Sequence, residues 1–175
     1  MTVNFRRACV EDIPPILQIF REGQAFLQAQ NVPQWRPGTE PTIKEAEAAV
    51  QTEQGYVLTV EDTVAAFIML VPGPDGSPPL SQGEWPGRDE DYVALHRVAV
   101  SANMRGMGLC SKLLEAAIEQ GIKLGYRAVR IDTHPDNQIM QRAILRVGFQ
   151  QVGVMELSIP YGTRLVYVYH GSKSV

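Results

Sequence analysis

The sequence predicts one α/β domain, a mixed central sheet flanked by about four helices, and three observations lead there. Short apolar stretches of strand character alternate with longer stretches that carry apolar residues at helical spacing. A strand–helix–strand unit over residues 92–133 implies two parallel strands joined by a crossover. The chain of 175 residues suits a single domain spanning 1–175 and is short for two.

Taken in order, residues 3–9 read as a strand. Asp12 stands before Ile13 and Pro14, an N-cap with proline in the first turn. Ile16, Leu17, Phe20, Gln24 and Leu27 then carry a helix to about residue 28. Residues 31–41, with three prolines and Trp35, form a loop. Thr42 and Glu45 make a capping box for a second helix that ends by Gly55. Strands over 56–60 and 64–71 join across Glu61 and Asp62 as a hairpin. Residues 72–91 are rich in proline, glycine and acids, and so long a loop is functional or disordered. A strand over 92–100 precedes a glycine-containing turn and a helix from about 108 to 124, with Leu109, Leu113, Leu114, Ala117 and Ile118 facing inward. Gly125 stops it. Residues 127–133 alternate, Val129, Ile131 and Thr133 on one side, Arg130 and Asp132 on the other. A helix over 137–147 closes at Gly148, and strands over 150–159 and 164–170 join across Pro160-Tyr161-Gly162.

Composition narrows the function. At 45% hydrophobic and 20% charged, the chain can build a core without disulfides or metals. A net charge of −3 argues against a general grip on nucleic acid, which needs a basic face. Cys9 and Cys110 lack metal-ligand spacing and suggest a reducing interior. The first residues have no signal-peptide core, and no apolar run approaches the ~20 residues of a membrane helix. The expectation is a cytoplasmic protein that contacts neither membrane nor nucleic acid.

The most informative stretch runs from Leu95-His96-Arg97-Val98-Ala99-Val100 to Arg105-Gly106-Met107-Gly108-Leu109-Cys110. A strand enters a turn with two glycines, and the turn opens a long helix. The first amides of a helix have no intrahelical partner, and the helix dipole adds partial positive charge there. Such a junction suits a pyrophosphate, which Gly106 and Gly108 allow close to the main chain and Arg105 supplements with charge. A Walker loop fails because no Gly-Lys-Ser/Thr follows Gly108. A Rossmann fingerprint fails because Ser111 stands at the third glycine position and no acid sits about 20 residues on to hold a ribose. A plain glycine turn feeding an amphipathic helix stays open on this stretch alone.

Arg105, Gly108 and, imperfectly, Cys110 resemble the Arg/Gln-x-x-Gly-x-Gly/Ala loop of the GNAT acyltransferase superfamily. Asn137, followed by a helix that finishes Val147-Gly148-Phe149, resembles the second signature of that family. The two motifs stand in the family's order, and the early strand, two helices and hairpin match its N-terminal half.

The resemblance implies a sheet splayed between the strands ending at Val100 and Thr133, with the cofactor arm of acetyl-CoA in the gap. By position Val98, Ala99 and Val100 would line that arm, and the amides from Arg105 through Gly106, Met107, Gly108, Leu109, Cys110 and Ser111 would hold the pyrophosphate. Asn137 would contact the arm near its thioester. The implied reaction is direct acetyl transfer to a primary amine of a small molecule or peptide. A larger acyl group and a non-catalytic CoA-binding module are the alternatives. The usual leaving-group acid is a tyrosine seven residues after the asparagine, where this chain has Ile144, so Tyr161, Tyr167 and Tyr169 become the candidates. For the base, strict alternation puts His96 on the face of Ala94, Val98 and Val100, Ala94 matching a catalytic glutamate of relatives. His134 is the second candidate. Trp35 and Trp85 would shape the acceptor pocket, with Glu84, Asp89, Glu90 and Asp91 attracting a cationic amine. Cys110, at a helix start, is either a thiol of lowered pKa or a packing residue. The two C-terminal strands imply a homodimer.

Overall fold

In the computed structural model, which describes residues 1–87 and 91–171, strand β1 (Val3–Arg7) leads through a 3-10 turn into α1 (Ile13–Ala29). After α2 (Ile43–Gln51) comes the hairpin of β2 (Gly55–Val60) and β3 (Thr63–Pro72), then β4 (Leu80–Gly83) and β5 (Tyr92–Val100). The remaining elements are α3 (Leu109–Lys123), β6 (Ala128–Thr133), α4 (Gln138–Arg146), β7 (Gln150–Glu156) and β8 (Thr163–His170). One eight-stranded sheet runs in the order β1-β2-β3-β5-β6-β8-β7-β4. The β5–β6 pair is parallel, as the crossover across α3 requires, and its neighbours on both sides are antiparallel.

Each face of the sheet carries its own core. On one, Leu113 and Leu114 of α3 pack against Ile68, Leu95, Val129 and Tyr167. On the other, Ile16 and Phe20 of α1 and Ala46 of α2 pack against Val57 and Phe67. The capping box of α2 is present, Glu45 Oε2 accepting from the Thr42 amide at 2.7 Å and Thr42 Oγ1 from the Lys44 amide at 3.3 Å. Asp12 does not cap α1 with its side chain. Its carboxylate instead accepts from the Cys9 amide at 2.8 Å and from both Arg6 terminal nitrogens, which fastens β1 to the 3-10 turn.

Two features position the site, and neither was read from the sequence. The first is β4, hidden in the segment read as a loop. Leu80-Ser81-Gln82-Gly83 is too short and polar to announce a strand, yet it pairs with the outer edge of β7. The chain after β3 therefore straps across the sheet to its far edge and returns to β5. The strap starts tight against the sheet at Gly73, where any Cβ would run into the Tyr92 ring.

The second feature is a bulge in β5. Phe67 pairs with Ala99 and Met69 with His96, so Arg97 and Val98 stand opposite one residue of β3, and Arg97 takes a φ of 58°. Alternation flips there. His96 stays with Met69 on the α1/α2 face, while Val98 and Val100 turn to the α3 face. Strict alternation had put all three together, which the bulge corrects. The splay is present: β5 pairs with β6 only through Tyr92, Val93 and Ala94, although both strands run on. Beyond Ala94 the edge of β5 facing β6 is open.

Candidate active site

The turn before α3 is built for an anion. Gly108 is the N-cap at a φ of 72°, Gly106 has a φ of 83°, and no side chain caps the helix. Both glycines face open space, with nothing within 4 Å of where a Cβ would stand. Among the described residues the first amides of α3 are left without a protein partner, at the positive end of the dipole. Arg105 is turned toward α1, Nη2 donating to the Glu22 carbonyl at 3.1 Å and the guanidinium lying 4.2 Å from the Phe26 ring centroid. Met107 is exposed and stands outside the cavity described next.

A cavity of about 1140 Å³ begins at this cradle and reaches both faces of the sheet through the splay. On the α3 side Val98, Val100, Leu109, Cys110 and Ser111 line it, and Ala99 contributes from the opposite face. Asn137 also lines it, and its amide is in use: Oδ1 accepts from the Met140 amide as the cap of α4, and Nδ2 donates to Gln34 Oε1 at 3.0 Å. Arg142 and Arg146 of α4 line the cavity, two cations that sequence reasoning missed. Cys110 is a packing residue, because burial pushes its thiol up to about 11.

On the α1/α2 face the cavity meets His96. Nε2 lies 2.9 Å from Asp75 Oδ2, a strap residue whose side chain is 4% exposed. Asp75 also accepts from the Tyr92 hydroxyl at 3.0 Å and from Ser77 Oγ at 2.9 Å. Burial opposes its charge, but the hydrogen bonds from His96, Ser77 and Tyr92 outweigh burial and hold the carboxyl well below the usual range. An ionised carboxylate only accepts, so Nε2 is the nitrogen that bears the proton toward Asp75, and in the neutral ring the lone pair sits on Nδ1. Among the described residues Nδ1 has no partner. A histidine with an orienting carboxylate behind it is equipped as a general base. Nothing in the sequence points to Asp75 beyond the Pro74-Asp75-Gly76 turn in a long segment.

Other candidates lie elsewhere. His134 is buried off the cavity, Nδ1 accepting from the Asp136 amide at 3.0 Å, and burial, helped by Arg164, lowers its pKa. No tyrosine of the described residues lines the cavity. Tyr161 is exposed beneath Arg36, Tyr167 is core, and Tyr169 packs against Phe149. Trp35 lines the cavity, but Trp85 stacks on Arg130, which is held between Trp85 and Tyr92 at 3.7 Å from each ring. Glu84 and Asp91 are exposed and off the cavity, and Asp89 and Glu90 lie outside the described residues. Instead, Arg97, Asp132 and Arg164 line the acceptor side. Burial pushes the Asp132 carboxyl up, against the charges of His96, Arg164 and Arg97.

Comparison with known proteins bears on the family and the fold. Residues 20–149 match the model of the acetyltransferase (GNAT) family. An uncharacterized N-acetyltransferase of Bacillus subtilis, YesJ, is 28% identical over 118 residues, which span 63% of this chain and 61% of that protein. A GNAT-family acetyltransferase structure from Streptococcus agalactiae superposes with a TM-score of 0.89 at 24% identity, covering 98% of this chain and 96% of that one. The Escherichia coli ribosomal-protein-S18-alanine N-acetyltransferase shares the fold with a TM-score of 0.67 at 16% identity, each chain covered to 99%. No helix among the described residues is long and apolar enough to cross a membrane.

Proposed function

The chain belongs to the GNAT acetyltransferase family, and on that premise we propose that it transfers an acetyl group from acetyl-CoA to a primary amine of a small molecule or peptide. One observation carries the reading: a single cavity joins the uncapped start of α3 to the His96–Asp75 pair. The residues fit the cofactor. A helix start with two left-handed glycines suits a pyrophosphate, and the open edge of β5 beyond Ala94 suits an arm that carries amides.

When bound, acetyl-CoA supplies an acetyl group activated as a thioester. The amides of Gly106 to Ser111 would hold the pyrophosphate, with Arg146 acting on Cys110 at that end. The main chain of Val98 and Val100 pairs with the arm, and Asn137 fixes the start of α4 beside it. His96 Nδ1 takes the proton of the attacking amine while Asp75 holds the ring. The new C–N bond would form as the C–S bond breaks, with CoA leaving as its thiolate and taking its proton from water. No side chain is assigned as acid to the leaving sulfur, since Ile144 is core and no described tyrosine reaches the cavity. Positioning and base catalysis supply the rate. A homodimer through the C-terminal strands has to accommodate β4, which covers the outer edge of β7.

The test is calorimetric titration with acetyl-CoA, CoA and ADP-ribose, followed by thiol release over a panel of amines. Binding of acetyl-CoA, with most affinity kept by CoA, together with amine-dependent thiol release is the expected result. No binding of any CoA species overturns the reading. Binding without amine-dependent release replaces it with a CoA-binding module.

A further inference from the structure

The acceptor end of the cavity holds two guanidinium groups with donors to spare. Arg97, half-buried at the β5 bulge, lines the cavity on the side of α2. Among the described residues no hydrogen bond or ion pair holds it, and Glu45 and Asp132 act on it only from a distance. Arg164 is 6% exposed and lines the same cavity. Its Nη1 donates to the carbonyls of Tyr161 and Thr163 at 2.8 and 2.9 Å, and its Nε stands 3.8 Å from Asp132 Oδ1. No described residue accepts from Nη2.

The neighbouring acids of the described residues do not take up these donors. Asp75 is committed to His96, Tyr92 and Ser77, and Glu45 to its capping box with Thr42. Asp132 feels both arginines and His96, and Glu156, which accepts from Thr163 Oγ1, acts on Arg164 from a distance. An arginine cannot shed its charge when buried, and its fork of donors matches a carboxylate. The two forks therefore leave unspent donors facing a cavity, and a half-buried or buried donor without an acceptor is costly. Met69, Val71, Leu157 and Ile159 give the rest of this end an apolar wall.

Resting on the acetyltransferase reading, we propose that the acceptor is an amine that also carries a carboxylate, a free amino acid with an apolar body. Arg97 and Arg164 hold the carboxylate, and Asp132 draws the amino group toward His96. The site thereby selects against polyamines, which carry no anion, and against peptide N-termini, whose first residue has its carboxyl in an amide.

The full chain is assayed for thiol release from acetyl-CoA with the free amino acids and their matched carboxamides, spermidine and a short peptide as controls. At least one amino acid is expected to exceed its amide about tenfold or more in kcat/KM, the scale of a charge-assisted pair. Arg97→Gln and Arg164→Gln are each expected to raise the KM of the acid about tenfold and to move that of the amide little, with Arg97→Lys recovering part of the loss. A second readout needs no turnover. N-acetyl amino acids titrated into the CoA-loaded protein should bind about tenfold tighter than N-acetyl amino acid amides, and Arg97→Gln should erase the difference. Amides, spermidine or peptide turned over as well as the acids would overturn the proposal while leaving the acetyltransferase reading intact. Equal binding of N-acetyl acids and amides overturns it too, even where no amine is acetylated. Failure of acetyl-CoA to bind brings down the acetyltransferase reading itself.

Discussion

The two ends of the cavity are made of different material. The cradle before α3 is main chain, local to a few residues, and depends on two left-handed glycines and a helix start. The acceptor end is made of side chains from distant parts of the chain: Asp75 from the strap, His96 and Arg97 from β5, Asp132 from β6 and Arg164 from β8. A backbone site tolerates most side-chain changes and fails at the φ it needs. A side-chain site fails one group at a time, and each failure names a different step.

Gly108→Trp should therefore abolish most cofactor binding and confine its effect to the cradle. A side chain at a φ of 72° is strained, and an indole fills the space the amides face. Acetyl-CoA affinity should fall by on the order of a hundredfold, about 3 kcal/mol, with an unchanged far-ultraviolet spectrum. Wild-type affinity in calorimetry would remove the pyrophosphate from this turn. His96→Ala should do the converse. Acetyl-CoA binding stays within error, and the rate of acetyl transfer falls roughly a hundredfold to ten-thousandfold, the range for a positioned base. A wild-type pH–rate profile in this variant would take His96 out of the chemistry. Asp75→Asn should cost less, roughly tenfold to a hundredfold in kcat, because the base remains but its tautomer is no longer dictated. An unchanged kcat would make the His96–Asp75 pair a structural tie only.

The same contrast explains how much was legible beforehand. The sheet, its helices and the parallel crossover follow from periodicity, and the cradle follows from Arg105 to Ser111 because a local backbone shape is written in local residue types. The acceptor end is written in no local pattern. Asp75 reaches His96 only because β4 anchors the strap at the far edge of the sheet, and β4 itself is short, polar and decided by its partner β7. The bulge at Arg97 was missed for the same reason. Nothing in Leu95-His96-Arg97-Val98 announces a left-handed arginine, and one inserted residue sends His96 and Val98 to opposite faces. The tyrosines are candidates only because Ile144 stands where the family carries its acid, and packing places Tyr167 in the core, Tyr169 against Phe149 and Tyr161 at the surface.

His134 tests the comparison from outside both ends. Its imidazole is buried, and burial, with the charge of Arg164 adding, lowers its pKa against a smaller pull from Asp136. Protonation breaks the acceptor role of Nδ1 toward the Asp136 amide and leaves a charge in a buried place. The unfolded chain takes up that proton near the ordinary value of 6.5, so folding stability is whole above about 6.5 and falls as the pH drops below it. One group limits this slope to about 1.4 kcal/mol per pH unit. His134→Asn keeps an acceptor for the Asp136 amide and removes the titration. Its urea midpoint should decline less than that of the wild type between pH 7 and pH 5, and its kcat/KM should stay near wild type because the ring does not reach the cavity. A parallel decline in both proteins would refute the buried-neutral assignment, and a thousandfold loss of activity would return His134 to the mechanism as its base.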